Sequence, residues 1–321
     1  MSLTLSCAFA TSHDTPEHAR VAEKLGYACA YFYDSPALYP DVWVQLCRAG
    51  DRTDRIVLGP GVLVPSNRHP MTNAAAIATL ASLVGQHRVV VGVGSGFTAR
   101  MAMGQRPLRW SFTAEYVRAL QALLRGHRVR WEGAPIEMLH LPGFAPPRPI
   151  EVPFLIGADG PKGISAAREL GAGVFTVKTP VAGFHRSVLL TFGTVLDEGE
   201  DVGSERALAA AGPGASVALH YRAEYGLVGE RTAAWLARYE LVPEETRHLA
   251  MHRGHLVSVN EHDRPFITGE LLSRTGLALA ESAWRERLAR LEAGGATEVA
   301  YAPAGPDIER ELEAFAAVAR G

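Results

Sequence analysis

The sequence predicts an α/β chain folded as a (β/α)8 TIM barrel, a single domain over 1–321 with insertions near 103–150 and 181–280. Three observations predict it. Amphipathic helices close on glycine just before a short apolar strand in "VAEKLGYACAYFYD", "ATLASLVGQHRVVVGVG", "AARELGAGVFTV" and "ARLEAGGATEVAYAP", with Gly26, Gly85, Gly171 and Gly295 as C-caps. Loops end in a proline that opens the next helix at Thr15-Pro16, His69-Pro70, Gly160-Pro161 and Gly305-Pro306, where a missing N–H costs nothing. The strands "RVVVGVG" and "VPFLIGA" are apolar on both faces, as parallel strands covered on each side are.

The first strand is expected near 3–10, an apolar run in which Cys7 reads as a small core residue. The second, near 27–34, follows Gly26 and ends on Asp34 in "AYFYDSPALYPD". A carboxylate at the C-terminal rim of a barrel strand reads as functional, or else it caps the Pro36 turn. The third, near 55–64, is the most apolar run of the chain, yet "RIVLGPGVLVPSNRHP" sets Gly59, Pro60 and Gly61 in its middle, where they weaken a strand. The fourth, near 88–95, runs into the glycine cluster "VVVGVGSGFTAR". Residues 103–150 read as a helix, a short β excursion and a proline-rich return. The fifth and sixth strands, near 152–158 and 173–179, flank "IGADGPKGISAAREL". The seventh, near 189–196, is the weakest; residues 200–280 read as helices and loops, and the eighth strand lies near 297–302.

Of 321 residues, 47% are hydrophobic and 21% charged, enough to bury a large core. A net charge of -2 without clustered Lys and Arg argues against nucleic acid and an anionic membrane, and leaves a small-molecule substrate as the expected partner. Cys7, Cys29 and Cys47 form no CxxC pair, so neither a disulfide framework nor a zinc ribbon is suggested. No basic leader opens the chain and no apolar run is long enough to span a bilayer, from which a reducing, cytoplasmic setting is expected.

Gly94-Ser95-Gly96-Phe97-Thr98-Ala99 satisfies GxGxxA, but Gly104 and Pro107 interrupt the helix a dinucleotide-binding turn needs, and no acidic residue ends a second strand at the required distance. The better reading is a barrel strand whose C-terminal end is stripped of side chains so that a ligand can approach the backbone. Ser95 also fails as a nucleophile elbow, because Val93 stands where glycine is needed. His252 and His255 in "MHRGHLVSV" have metal-ligand spacing, but Gly254 lies between them and no carboxylate or cysteine completes a set nearby. They read as a satisfied loop or core pair, and no metal is expected. In "IGADGPKGISAAREL", Gly157, Gly160 and Gly163 frame a strand end and a helix start, with Lys162 beside them and Lys178-Thr179 after the next strand. That is either a phosphate site on free helix N–H groups or a routine βα turn.

Taken in order, "AYFYDSPALYPD", "LGPGVLVPSNRHP", "VGVGSGFTARMAMGQRP" and "LIGADGPKG…ELGAGVF" resemble the bacterial luciferase-like superfamily of barrel oxidoreductases, and within it the methylenetetrahydromethanopterin reductase-like and other deazaflavin-dependent members. The likeness runs over residues 1–180 and resumes at "LEAGGATEVAYAPAGPD", with 181–280 divergent. It implies coenzyme F420 or FMN held at the C-terminal ends of the strands, with a non-prolyl cis peptide at Gly61-Val62 bulging against the flat ring. It further implies a cofactor phosphate on Ala158, Asp159, Gly160 and Pro161, with Lys178 and Thr179 beneath it. By the same resemblance Asp34, Gly94, Ser95, Gly96 and Phe97 border the ring, Arg100 and the inserted segments face the substrate, and the protein is a homodimer. Two positions depart from the family. Its luciferases and sugar-phosphate dehydrogenases carry a catalytic His directly after the aspartate matched by Asp34, where Ser35 stands here. The sugar-phosphate enzymes also carry a catalytic Glu where this chain has Phe97.

The function expected from the resemblance is hydride transfer between reduced coenzyme F420 and an electrophilic C=N, C=C or C=O bond of a small organic substrate. The cofactor supplies the chemistry and the protein supplies position and a dry cavity. Asp34 and Arg100 are the candidate catalytic residues, with Asp34 or a water serving any proton transfer. One alternative is an FMN-dependent monooxygenase, since a deazaflavin has carbon at its reactive position and does not readily activate dioxygen. The other is a flavin-binding barrel or subunit without turnover.

Overall fold

The computed structural model describes residues 3–320, so positions 1, 2 and 321 of the expected barrel lie outside it. Eight parallel strands run as β1 (Thr4–Phe9), β2 (Cys29–Phe32), β3 (Val57–Pro60), β4 (Val91–Gly94), β5 (Phe154–Gly157), β6 (Gly173–Thr176), β7 (Ser187–Phe192) and β8 (Glu298–Ala302). Their spatial order is β3-β2-β1-β8-β7-β6-β5-β4. Bridges at Leu58–Val89 and Leu63–Val93 bring β3 to β4, so the sheet comes round on itself as a nearly closed barrel. Every expected strand is present; β7 begins at Ser187 rather than 189.

The interruption in β3 marks a change of partner. Pro60 has no N–H to give. The Gly61 N–H makes the last bond to β2, at Phe32 O (2.9 Å), and the Leu63 N–H turns instead to Gly92 O of β4 (2.8 Å). The glycine and proline residues therefore sit where the strand leaves one neighbour for the other.

The outer layer begins with α1 (Thr15–Lys24), α2 (Val42–Gly50), α3 (Pro70–Val84), the short α4 (Phe97–Met101), α5 (Trp110–Leu124) and α6 (Pro161–Glu169). Proline lies in the first turn of α1, α3 and α6, and Gly26, Gly85 and Gly171 follow these helices at positive φ, as the junction chemistry predicts. Contacts of α5 with α3 and α6 make it a barrel helix rather than part of an insertion. The excursion expected over 103–150 thus shrinks to the antiparallel hairpin Val129–Trp131 with Ala134–Ile136 and the return to β5.

A second departure lies between β6 and β7, where residues 177–186 form no helix. After β7 the chain leaves the barrel through α7 (Glu205–Glu224), α8 (Glu230–Glu240), α9 (Arg247–Met251) and α10 (Gly269–Thr275). It returns by α11 (Glu281–Ala293) to β8 and α12 (Ile308–Arg320). A Cβ on Gly295 would meet Ala182 at 2.6 Å, so the end of α11 seats against the 177–186 segment. Pro306 does not open α12 as expected; Asp307 does, accepting from the Arg310 N–H at 3.0 Å. The α7–α10 excursion has an apolar core of its own around Leu219, Trp235, Tyr239 and Leu272.

Tyr31, Val90, Leu155, Phe175 and Val188 fill the barrel interior. Where β8 begins, the Glu298 carboxylate accepts from Tyr31 Oη and Arg186 Nε, both at 2.7 Å. Cys7 and Cys29 are buried and free, as core residues, and burial pushes the Cys29 thiol up to about 12. His252 and His255 are buried too, but the expectation of a satisfied pair is corrected, since His252 Nδ1 has no hydrogen-bond partner. Among the described residues no helix is long and apolar enough to cross a membrane.

Candidate active site

A cavity of about 170 Å³ opens at the C-terminal ends of the strands. One wall is the bulge after β3, where the Gly61–Val62 peptide is cis. A Cβ on Gly92, Gly94 or Gly157 would meet the methyl groups of Val62 at 2.9, 2.7 and 3.1 Å, and one on Gly61 would meet Tyr31 Cβ at 2.8 Å. The glycine cluster of β4 is thereby explained. Stripped strand ends leave room for the bulge, and the bulge presents an isopropyl group to the cavity.

Asp34 lines the cavity with its carboxylate almost fully buried. It does not cap the Pro36 turn through a side-chain bond; both oxygens accept from Arg68 Nη1, at 2.9 and 2.8 Å. Arg68 Nη2 donates to Asp41 Oδ2 at 2.7 Å, and the other oxygen of Asp41 caps α2 through the Trp43 and Val44 N–H groups. The Arg68 carbonyl is held in turn by Tyr116 Oη, which takes a bond from Asn73 Nδ2, while Asn73 Oδ1 accepts from Trp43 Nε1. Burial raises the Asp34 carboxyl above its ordinary value, with Arg68 only partly opposing it.

Ser95, Gly96 and Phe97 border the cavity where β4 meets α4. The Phe97 ring stacks on Tyr221 (5.0 Å, 18°) and lies nearly parallel to Tyr225 (6.3 Å, 4°), two side chains of α7 and its end. Lys178 Nζ sits 3.4 Å from the Tyr225 ring centroid. The divergent excursion therefore closes one side of the mouth with stacked aromatic rings.

At the other end, Ala158 and Asp159 line the cavity and Gly160 and Pro161 begin α6, whose N-terminus carries no side-chain cap. The Asp159 carboxylate is engaged elsewhere, its Oδ1 accepting from the Val177 and Lys178 N–H groups at 2.8 and 2.9 Å. A Cβ on Gly160 would meet nothing within 4 Å. Lys178 and Thr179 are exposed beside the cavity rather than in its lining.

Arg100 is not among the lining residues. Its guanidinium is tied to Ser66 Oγ (2.5 Å) and the Arg106 carbonyl (2.6 Å), which makes it a brace between two loops. The lining also includes polar and aromatic side chains that the sequence did not point to as site residues, among them Tyr33, Tyr39, Tyr221 and His255. The alternation in "AYFYD" does place Tyr31 of β2 and Tyr33, just past its end, on one face, toward the interior. Tyr33 Oη is buried with no hydrogen-bond partner, and burial pushes its hydroxyl well above the ordinary value. Tyr221 carries no local signal, His255 was weighed only for its spacing from His252, and Arg68 shows only as one more basic residue before a helix.

A family model described as luciferase-like monooxygenase matches residues 5–189, more than half of the chain. An F420-dependent glucose-6-phosphate dehydrogenase of Microbacterium testaceum is 30% identical over 169 residues, covering 49% of this chain and 50% of that protein. A 5,10-methylenetetrahydromethanopterin reductase of Archaeoglobus fulgidus is 34% identical over 139 residues, covering 42% and 40%. The chain thus spans about half the length, or less, of the curated relatives it matches. In fold, it resembles a coenzyme F420-dependent tetrahydromethanopterin reductase of Methanopyrus kandleri, with a TM-score of 0.66 at 18% identity over 98% of this chain and 97% of that one.

Proposed function

The chain belongs to the luciferase-like monooxygenase family, and from this premise we propose that it is an oxidoreductase using reduced coenzyme F420 to reduce an electrophilic C=N, C=C or C=O bond of a small organic substrate. The observation that carries the reading is the Val62 wall, framed by glycines, in a cavity that runs to the uncapped start of α6. A flat ring fits against the isopropyl group, and free N–H groups at a helix N-terminus suit a phosphate.

The hydride would be supplied by the bound deazaflavin, and the chain's own residues would bind and position it. Val62 would support the ring, the first turn of α6 after Gly160 and Pro161 would hold the phosphate, and Lys178 and Thr179 would add their polar groups to it. Phe97, Tyr221 and Tyr225 keep water from the mouth. Tyr33 Oη holds its proton and is an uncommitted hydroxyl of a cavity-lining residue, whereas Asp34 is committed to Arg68. Ser35 and Phe97 supply neither an imidazole nor a carboxylate, which disfavours a sugar phosphate as substrate.

Fluorescence titration of the purified chain with F420 and with FMN tests the proposal. Micromolar or tighter F420 with weaker FMN is expected. Tight FMN without F420 binding would overturn it in favour of an FMN-dependent monooxygenase, the reading that the apolar, aromatic mouth also suits. Turnover by the isolated chain excludes a binding barrel without activity. The same proposal includes a homodimer, to be read by light scattering.

A further inference from the structure

His220 projects from α7, and His252 and His255 lie in the turn that follows α9. All three are less than a tenth exposed. One ring nitrogen from each lies within 4.8 Å of the other two, and the ring centroids form a near-equilateral triangle with sides of 5.6, 5.7 and 5.4 Å. The turn that gathers the last two depends on Gly254, at φ +70°, where a Cβ would meet Ser258 Oγ at 2.5 Å. The glycine that argues against a helical HxxH site is thus what brings the two imidazoles together.

Polar atoms in this cluster lack partners. Neither nitrogen of His220 nor Nδ1 of His252 has a hydrogen bond, in a region where buried polar groups are ordinarily satisfied. Asp263 Oδ2 lies 3.6 Å from His220 Nε2, and the same carboxylate is fixed by Trp235 Nε1 (2.7 Å), Tyr239 Oη (2.8 Å) and Asn260 Nδ2 (3.2 Å). A carboxylate behind one nitrogen of a histidine, with the other nitrogen free, is the outer-shell arrangement that orients a metal ligand. The three histidines also line a cavity of about 180 Å³ that shares Phe97, Thr98, Tyr221 and His255 with the lining of the main cavity.

We propose that His220, His252 and His255 form a three-imidazole site for a divalent transition metal of the zinc class, its fourth position open to the cavity beside the proposed ring pocket. Three neutral nitrogen donors suit zinc and its neighbours, and exclude calcium and magnesium, which take oxygen. Tetrahedral Zn–N bonds of about 2.0–2.1 Å imply donor separations of roughly 3.4 Å, so the rings close by a small rotation on binding. The site joins α7 to the turn after α9, and through the Tyr39 hydroxyl on the His255 carbonyl (2.6 Å) it is tied to the loop after β2.

Tag-free protein stripped with chelator is titrated with Zn2+ by calorimetry and with Co2+ by visible spectroscopy. One ion per chain is expected, with the intense ligand-field bands of four-coordinate Co2+. His220→Ala and His252→Ala should each weaken Zn2+ binding at least 100-fold, while His127→Ala, on the exposed surface, leaves it unchanged. Absence of stoichiometric binding or of the Co2+ bands in the unmodified chain overturns the site without recourse to any variant, as does binding that survives His252→Ala in a folded protein. Because the readout is metal, its failure is separate from any failure to bind F420.

Discussion

Arg68 grips both oxygens of the Asp34 carboxylate through a single nitrogen, Nη1, and with Nη2 holds Asp41, the cap of α2. One guanidinium therefore joins the loop after β2, the start of α2 and the segment before α3. Burial, helped by the neighbouring Asp41 charge, pushes the Asp34 carboxyl upward, and Arg68 is the cation that opposes it. Arg68→Met should cost about 3 kcal/mol, the usual penalty for leaving one member of a buried pair behind. The sign of its pH dependence follows from the raised carboxyl. Without Arg68 the folded state holds the Asp34 proton more tightly than the unfolded chain, so stability falls as pH rises through the folded value. Urea midpoints of the variant should lie nearer the wild type at pH 5 than at pH 8; a penalty independent of pH would mean that Asp34 does not titrate in the fold.

Gly94→Ala would set a Cβ at 2.7 Å from Val62 Cγ2. Overpacking of this kind costs about 1–3 kcal/mol and displaces the wall of the cavity. Adding Val62→Ala should restore most of the lost stability, giving a coupling of about 1 kcal/mol or more in a double-mutant cycle. Strict additivity of the two changes would show that Val62 does not rest on Gly94.

Lys178 lies over the Tyr225 ring in an exposed setting, so Lys178→Gln should cost under about 1 kcal/mol of stability. Under the proposed function the same change should weaken F420 binding about tenfold and make it less sensitive to salt, because a cation near the phosphate is lost. Unchanged affinity across a salt series would remove Lys178 from the phosphate site.

Glu200 caps the approach to α7 through Ser204 and is bound by Arg206, whose hydrogen bonds hold its carboxyl down at about 2. A carboxyl depressed in the fold contributes stability above its unfolded value, here 4.5, and loses it as pH falls toward about 2. Acid titration of the unfolding midpoint should therefore be shallower for Glu200→Gln, by up to one proton, between pH 4.5 and 2. Parallel curves would show the pair to be open in solution.

Much of the barrel was legible because its signals are local. Pro16, Pro70 and Pro161 open helices and Gly26, Gly85 and Gly171 follow their ends for reasons contained in a few adjacent residues. The one proline that failed, Pro306, lost its place to an aspartate next to it with a better cap. The absence of a helix between β6 and β7 has a local cause, since Pro180 and Gly183 fall within residues 177–186 and both disfavour a helix. Part of the cavity lining was legible in the same way: Asp34 by its position at a strand end and Gly61 by an interruption that local strand chemistry does not explain, while Val62 came only from the family resemblance. Arg100 stands outside the cavity lining, and nothing local told that Ser66 and the Arg106 carbonyl would hold its guanidinium.

By itself the sequence determined the barrel, its eight strands and the place where β3 breaks, because periodicity and turn chemistry act between neighbours along the chain. Only the tertiary structure decided that Arg68 pairs with Asp34, that Tyr221 stacks on Phe97 and that His220 joins His252 and His255. Those contacts join residues far apart in the chain. They depend on the closure of the barrel and on how the α7–α10 excursion folds back over its mouth, and no local pattern records either.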